Sequence, residues 1–207
     1  MYPIIGLTGP ARSGKSTLAE MLLNDLGPYR TDNGYRPGYI RLYGMAWPLK
    51  RIVNELFGWG PEHAEGVLKD VVDPRVGISP REAYQKIGTE FGRDFINTIL
   101  PGLKFAPGDL WIFRAQHELE MRGRLIVADI RFPNEVAWID RNGGLLVHVQ
   151  RAGDYGIGAL AAKHSSEAGL PVRNKDWETG ACTDLEELGF AADGLIAHIQ
   201  AQEGYYK

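Results

Sequence analysis

The chain has almost no cysteine. Cys182 is the single one among 207 residues, which excludes an internal disulfide and any cysteine-built metal site and fits a reducing, cytoplasmic setting. Long apolar runs are missing as well. The apolar stretch after Met1 is interrupted by Gly9 and Pro10, too short for the core of a signal peptide, and nowhere do about 20 apolar residues follow one another. No membrane span is expected. An excess of one charge is also absent: 23 Lys and Arg stand against 26 Asp and Glu, a formal net charge of -3. No broad basic field therefore points to direct nucleic-acid binding, although a local phosphate-binding patch remains open. Internal repeats and low-complexity segments are not seen.

What is there begins at Ile4. Ile4-Ile5-Gly6-Leu7-Thr8 reads as a short apolar strand, Gly9 to Gly14 as a glycine-bounded loop, and Lys15-Ser16-Thr17 as the first turn of a helix whose Leu18, Met21, Leu22 and Leu26 recur at helical spacing. Gly9 and Gly14 flank four residues and precede Lys15 and Ser16, the P-loop spacing that cradles the phosphates of a nucleoside triphosphate with backbone N–H groups. Within that stretch Gly9, Arg12, Ser13, Gly14, Lys15, Ser16 and Thr17 are the expected nucleotide-binding residues. Lys15 reaches the β- and γ-phosphate oxygens, the Ser16 hydroxyl binds Mg²⁺, and the helix start adds the positive end of its dipole. The rival reading, a glycine turn with an exposed lysine, does not account for the strand before it and the helix after it.

Taken in order, Gly27 to Gly38 reads as a loop and Tyr39 to Tyr43 as the next strand. Pro48 to Phe57 carries one apolar stripe closed by Gly58, and Pro61 to Val72 reads as another short helix. Ser79-Pro80-Arg81-Glu82 is a helix start with a capping serine. The helix it opens carries Tyr84, Ile87, Gly88, Phe91 and Phe95 on an anchoring face, while Arg81, Gln85, Thr89 and Arg93 follow at i+4 along a polar flank. A further helix spans Leu110 to Arg122. Leu125-Ile126-Val127-Ala128 is an unalternated apolar run, a parallel strand buried on both faces, and it ends in Asp129, placed to hold Mg²⁺. Arg131 projects to the same side if the chain stays extended. Glu135, in the first turn of a short helix from Asn134 to Asn142, is either a site residue or a dipole partner. Leu145 to Val149 is a strand ending near Arg151, Gly153 to Gly180 a polar, glycine-rich stretch suited to a lid, and Asp193 to Ile199 a last strand. His148 and His198 read as core histidines.

A P-loop alone does not separate a kinase from a GTPase or a motor. The guanine signature Asn-Lys-x-Asp is absent, since Asn174-Lys175-Asp176 is followed by Trp177, and the chain is short for a ring-forming ATPase with its helical lid domain. A small-molecule kinase remains. A monophosphate acceptor already offers an anionic oxygen, so catalysis reduces to positioning and charge neutralisation.

Further blocks extend beyond the loop: Ala46-Trp47-Pro48-Leu49-Lys50, Gln85-Lys86-Ile87-Gly88-Thr89-Glu90 with Arg93, Asp129-Ile130-Arg131-Phe132-Pro133-Asn134-Glu135, and His164-Ser165-Ser166-Glu167. In these, and in their order, the chain resembles the bacteriophage deoxynucleoside monophosphate kinases. The resemblance implies an α/β P-loop fold of the nucleoside monophosphate kinase type, a single domain over residues 1–207. Its parallel sheet would be flanked by helices, with a helical acceptor-binding region near residues 44–122 and a lid near 152–180. It further implies transfer of the γ-phosphoryl group of ATP to a deoxynucleoside monophosphate with Mg²⁺, and a homodimer. Lys15, Asp129 and Arg131 would serve catalysis, and Lys50, Arg81, Gln85, Thr89, Arg93, Glu135 and Arg151 the acceptor, with Arg151, Lys163 and Arg173 as candidates to close on the phosphates. Another P-loop kinase, such as a dephospho-coenzyme A kinase, and a non-catalytic nucleotide-binding protein are the alternatives.

Overall fold

β1 (Ile4–Thr8) is buried along its whole length, as an unalternated apolar run requires. The computed structural model describes residues 2–27, 30–31, 34–35, 40–153 and 170–203. Four further strands join β1: β4 (Ile40–Tyr43), β5 (Arg124–Val127), β6 (Leu145–Arg151) and β7 (Trp177–Cys182). They lie in the order β4-β5-β1-β6-β7, every neighbouring pair parallel, with Ile5 opposite both Ile126 and Leu145. The chain leaves β1 toward one edge, returns through β5, and crosses to β6. The carboxyl end of β1 is thus where the winding reverses, the place at which open α/β sheets bind their ligands.

α1 (Lys15–Leu26) and α8 (Leu185–Glu203) cover one face of the sheet. Leu18, Leu22, Leu188, Leu195 and Ile199 share a core with Ile5, Leu7, Val147 and Val149. Gly6 points to the other face, where the Ile139 side chain of α7 (Pro133–Arg141) lies so close that a Cβ on Gly6 would stand 2.4 Å from its Cδ1. The α/β class, with its parallel sheet flanked by helices, is as the sequence indicates.

The chain divides into two compact units, Met1–Gly44 with Gln116–Lys207, and Met45–Ala115. The second is helical: α2 (Trp47–Phe57), α3 (Pro61–Ala64), α4 (Pro80–Lys86), a π-helical segment (Ile87–Phe95), α5 (Ile96–Ile99) and the opening of α6 (Leu110–Arg122). α2 ends at Gly58 in the left-handed conformation (φ 65), as its sequence indicates. Inside this unit Trp59 donates to Asp73 (2.7 Å), which also accepts from Arg75, while Tyr84 donates to Asn54.

Several expectations are corrected. Asp193 to Ile199 is not a strand but the middle of α8, because Leu188, Ala192, Leu195, Ile196 and Ile199 are buried at helical spacing. The helix expected over Pro61 to Val72 stops at Ala64, and the chain continues in turns such as Lys69 N–H to Gly66 O. Phe91 and Phe95 do not anchor their helix. They are 42% and 52% exposed; Tyr84 and Gly88 are buried as expected, and Gly92 and Ile96 continue the face in place of the two phenylalanines. In the wide i→i+5 turn of a π-helix an i+4 step advances less than in an α-helix, so residues four apart stay near one line. Gly27 to Gly38, expected as a loop, contains a small antiparallel pair, β2 (Arg30–Thr31) with β3 (Gly34–Tyr35). Of the expected lid, residues 154–169, with Lys163, His164 and Glu167, lie outside the described residues, and its last four residues belong to β7.

Candidate functional site

Between β1 and α1 the backbone turns through three left-handed residues, Gly9 (φ 145), Arg12 (φ 62) and Gly14 (φ 96). A Cβ at Gly9 would stand 2.2 Å from the Val149 carbonyl oxygen, so only glycine lets the loop settle on the end of the sheet. Gly14 opens α1 without a side-chain cap, which leaves the first-turn N–H groups directed at whatever the loop encloses. Lys15 Nζ donates to the carbonyls of Gly9 (2.9 Å) and Pro10. Ser13 is only 3% exposed, yet its Oγ has no hydrogen-bond partner among the described residues. A hydroxyl buried without a partner costs free energy unless a ligand oxygen completes it. Glycine clearance, uncapped N–H groups, a lysine and an orphaned hydroxyl form a donor set that suits phosphate.

The loop walls a cavity of about 530 Å³. Arg12 to Thr17, Arg151, Cys182 to Leu185 and Leu188 line it, with Arg151 and Cys182 paired on neighbouring strands. Its size is that of a small-molecule site. Arg151 Nη1 donates to the Arg12 carbonyl (3.4 Å), which brings the two arginines to the same rim. The Cys182–Leu188 wall was not anticipated from the sequence; it follows β7, a strand with little apolar signal of its own.

Asp129 lies two residues beyond β5, in a turn with Ala128. The next N–H, that of Ile130, donates to the Leu7 carbonyl (3.0 Å) and ties this turn to the end of β1, just before the P-loop. Glu135 is 1% exposed, and its Oε2 accepts from the N–H groups of Arg131 (2.8 Å) and Phe132 (3.1 Å). Its carboxylate thereby fixes the backbone that presents Arg131 and closes the start of α7.

In the helical unit, Ser79 Oγ accepts from Glu82 N–H (3.3 Å) and starts α4 as its sequence indicates. Arg81, Gln85, Thr89 and Arg93 are all half-buried along one flank. Arg81 forms a two-pronged ion pair with Asp70, Lys50 pairs with Glu65, and Arg93 Nη1 donates to the Gly108 carbonyl (3.3 Å). The π-helical segment is held by Trp111. Its Nε1–H donates to the Gly88 carbonyl (3.0 Å), and its ring covers Gly92, where a Cβ would lie 2.6 Å from Cζ2.

His148 is a core histidine, as its sequence setting indicates: it is 5% exposed in β6, with Nε2 3.0 Å from Asp176 Oδ2. Arg173 donates to Asp176 and Asp140, each at 2.7 Å. Burial pushes both carboxyls up, but the hydrogen bonds outweigh it, from Arg173 and His148 at Asp176 and from Lys175 and Arg173 at Asp140. Both therefore titrate below the ordinary aspartate range. His198 lies on α8, with Nε2 3.4 Å from the Tyr2 hydroxyl. Among the described residues no helix is long and apolar enough to cross a membrane.

No protein-family model matches the chain. The crystal structure of TT1252 from Thermus thermophilus aligns with it at a TM-score of 0.49 and 18% identity, over 96% of this chain and 98% of that one. A protein of Acanthamoeba polyphaga mimivirus, provisionally named a deoxynucleotide monophosphate kinase, is 31% identical over 156 residues. That match spans 72% of this chain and 75% of the relative. With that identity over most of both lengths, and with a phosphate cradle at the reversal point of a parallel sheet, the chain belongs to the deoxynucleotide monophosphate kinase-like family.

Proposed function

We propose that this protein transfers the γ-phosphoryl group of ATP to a deoxynucleoside monophosphate. An oxygen of the acceptor's phosphate attacks the γ-phosphorus, the bond from that phosphorus to the β,γ-bridging oxygen breaks, and ADP and a deoxynucleoside diphosphate leave. The observation that carries the reading is the P-loop cavity, with its uncapped helix start, its buried unpartnered Ser13 Oγ, and Lys15, Arg12 and Arg151 around it. The name of the mimivirus relative supplies the acceptor class.

The acceptor oxygen is already anionic at neutral pH, so this chain's residues orient and neutralise rather than remove a proton. Lys15 exchanges the neutral carbonyls of Gly9 and Pro10 for phosphate oxygens, a stronger, charge-assisted interaction. Mg²⁺ fits the donor set. The Ser16 hydroxyl and the Asp129 carboxylate would hold it, and it supplies neutralisation of the β- and γ-phosphate charge. Arg131, presented by the turn that Glu135 fixes, meets developing charge on the transferred group. Gln85, Thr89 and Arg93 are assigned to the acceptor nucleotide, and Lys50 and Arg81 to the same task despite their partners Glu65 and Asp70. The same reading includes a homodimer and a place in the cytoplasm of an infected host.

A panel of acceptors with coupled detection of ADP tests the function. Turnover with one or more deoxynucleoside monophosphates is expected. Turnover with dephospho-coenzyme A alone would move the chain to another kinase class, and tight ATP binding with no acceptor-dependent ADP would make it a non-catalytic nucleotide binder.

A further inference from the structure

On the proposed function, on which this inference rests, Lys50 of α2 and Arg81 of α4 serve the acceptor's phosphate, yet both hold a carboxylate of their own helical unit. Lys50 pairs with Glu65, whose second oxygen lies 3.9 Å from Lys69 Nζ. Arg81 donates to both oxygens of Asp70, from Nε to one and from Nη2 to the other (3.1 Å). An anion on a lysine and an anion forked into an arginine are also the contacts that a phosphate makes. In each pair the cation is the inner partner. The Lys50 and Arg81 side chains are 19% and 34% exposed, those of Glu65 and Asp70 64% and 63%, so the carboxylates lie on the solvent side, where an arriving anion meets them.

The segment that carries the two carboxylates turns its polarity the wrong way round for a structural loop. Val67, Val71 and Val72 are all exposed, while Glu65 and Asp70 reach back to the cations. Its backbone is secured independently of those pairs. Glu65 N–H donates to the Pro61 carbonyl (3.0 Å), Arg81 N–H to the Lys69 carbonyl (2.9 Å), and the buried Asp73 accepts from Trp59 and Arg75. Glu65 and Asp70 can therefore leave by side-chain rotation alone. An ion pair whose anion is this exposed is worth less than about tenfold in an equilibrium constant. A phosphate monoester brings a charge of about -2 against the single charge of each carboxylate, and so wins the exchange. We propose that Glu65 and Asp70 are built-in competitors of the acceptor nucleotide: they occupy Lys50 and Arg81 until the phosphate of a deoxynucleoside monophosphate displaces them, and thereby raise its KM. Affinity for the acceptor is reduced by the fraction of molecules in which the cations are occupied, and an uncharged nucleoside, with no anion to exchange, gains nothing from this site.

Titration calorimetry with dAMP, dCMP, dGMP and dTMP in turn tests this on the full chain, beside Glu65→Gln, Asp70→Asn and the double variant, with Lys50→Met and Arg81→Met for comparison. The monophosphate that binds best is expected to bind each carboxylate variant about two- to fivefold more tightly than the parent, and the double variant about four- to twentyfold. Its KM should fall in step, with kcat and the KM for ATP within about twofold of the parent. Both substitutions keep the side chain's shape, so Tm should stay within about four degrees. Unchanged or weaker monophosphate binding in the carboxylate variants, or a larger drop in Tm that would make the pairs structural struts, overturns the proposal. The two failures separate. If Lys50→Met and Arg81→Met weaken the monophosphate while the carboxylate variants gain nothing, the acceptor assignment stands and the competitor role falls. If the lysine and arginine variants bind it as the parent does, or if no monophosphate binds any of the proteins, the assignment itself falls and takes the competitor role with it.

Discussion

Arg12 holds a left-handed backbone (φ 62) at a position where glycine would be unstrained. That conformation costs an ordinary residue about 1–2 kcal/mol, and glycine gives back only about 0.5–1 kcal/mol through its freedom in the unfolded chain. Arg12→Gly is therefore expected to melt higher than Arg12→Ala, while both variants bind ATP more weakly than the parent by a similar factor. Melting curves with and without ATP check this; an alanine variant that melts higher would show the turn to be unstrained. Lys15 contributes little to the core and, on the proposed function, meets the phosphates. Lys15→Ala should leave the fold intact and lower kcat by a hundredfold or more, roughly the effect of removing one transition-state donor. Unchanged kcat in a folded Lys15→Ala protein would remove the kinase assignment.

At the scale of elements, the π-helical segment offers the sharpest test. In an ordinary helix Gly→Ala stabilises by about 1 kcal/mol, but at Gly92 the new methyl group meets the Trp111 ring. Overpacking of this kind costs about 1–3 kcal/mol, so Gly92→Ala should lower Tm by several degrees. A raised Tm would mean that the segment is an ordinary helix in solution. Arg93, on the polar flank of the same element, should matter to one substrate only. Steady-state kinetics of Arg93→Ala should show kcat/KM for the monophosphate falling about ten- to a hundredfold, the value of one charge-assisted contact, with ATP nearly unaffected. Equal effects on both substrates would exclude this flank from the acceptor site. The flank itself was legible because Arg81, Gln85, Thr89 and Arg93 recur at i+4 in either helix type. The buried face was legible only in part, since Gly92 carries no apolar signal and the burial of Gly88 and Gly92 depends on Leu49 and Trp111 arriving from elsewhere in the chain. β7 was hidden for a related reason: an edge strand reading Trp-Glu-Thr-Gly-Ala-Cys, exposed at several positions, has neither alternation nor an apolar run. α8 was misread because Gly189 and Gly194 interrupt it, so that Gly194-Leu195-Ile196 looks like a strand when taken alone.

For the molecule as a whole, the three central strands and the P-loop were readable because β1, β5 and the first five residues of β6 are buried and are almost wholly apolar. The ionic ties that secure its periphery were not, since Arg173, Asp176, Asp140 and His148 are brought together only by the fold. They set its acid stability. Asp176 and Asp140 titrate below the ordinary aspartate range when folded, as does Asp73, lowered chiefly by its bond from Arg75 and then by Trp59. A depressed carboxyl stabilises the folded state above its unfolded pKa, and that contribution disappears as pH falls through the lower folded value. Tm should be level from neutrality to about pH 5 and fall steeply below about pH 4. Asp176→Asn should melt lower at neutral pH and lose less on acidification, so that the two curves converge; parallel curves would show that this carboxylate carries no acid sensitivity. The cavity wall has one more consequence. Its Cys182 is the chain's single thiol and is buried in the core, so a maleimide marks one atom per polypeptide and only as fast as the end of β7 opens. ATP bound beside this strand end should stabilise it and slow the labelling, so the rate of thiol modification becomes a clock for local opening.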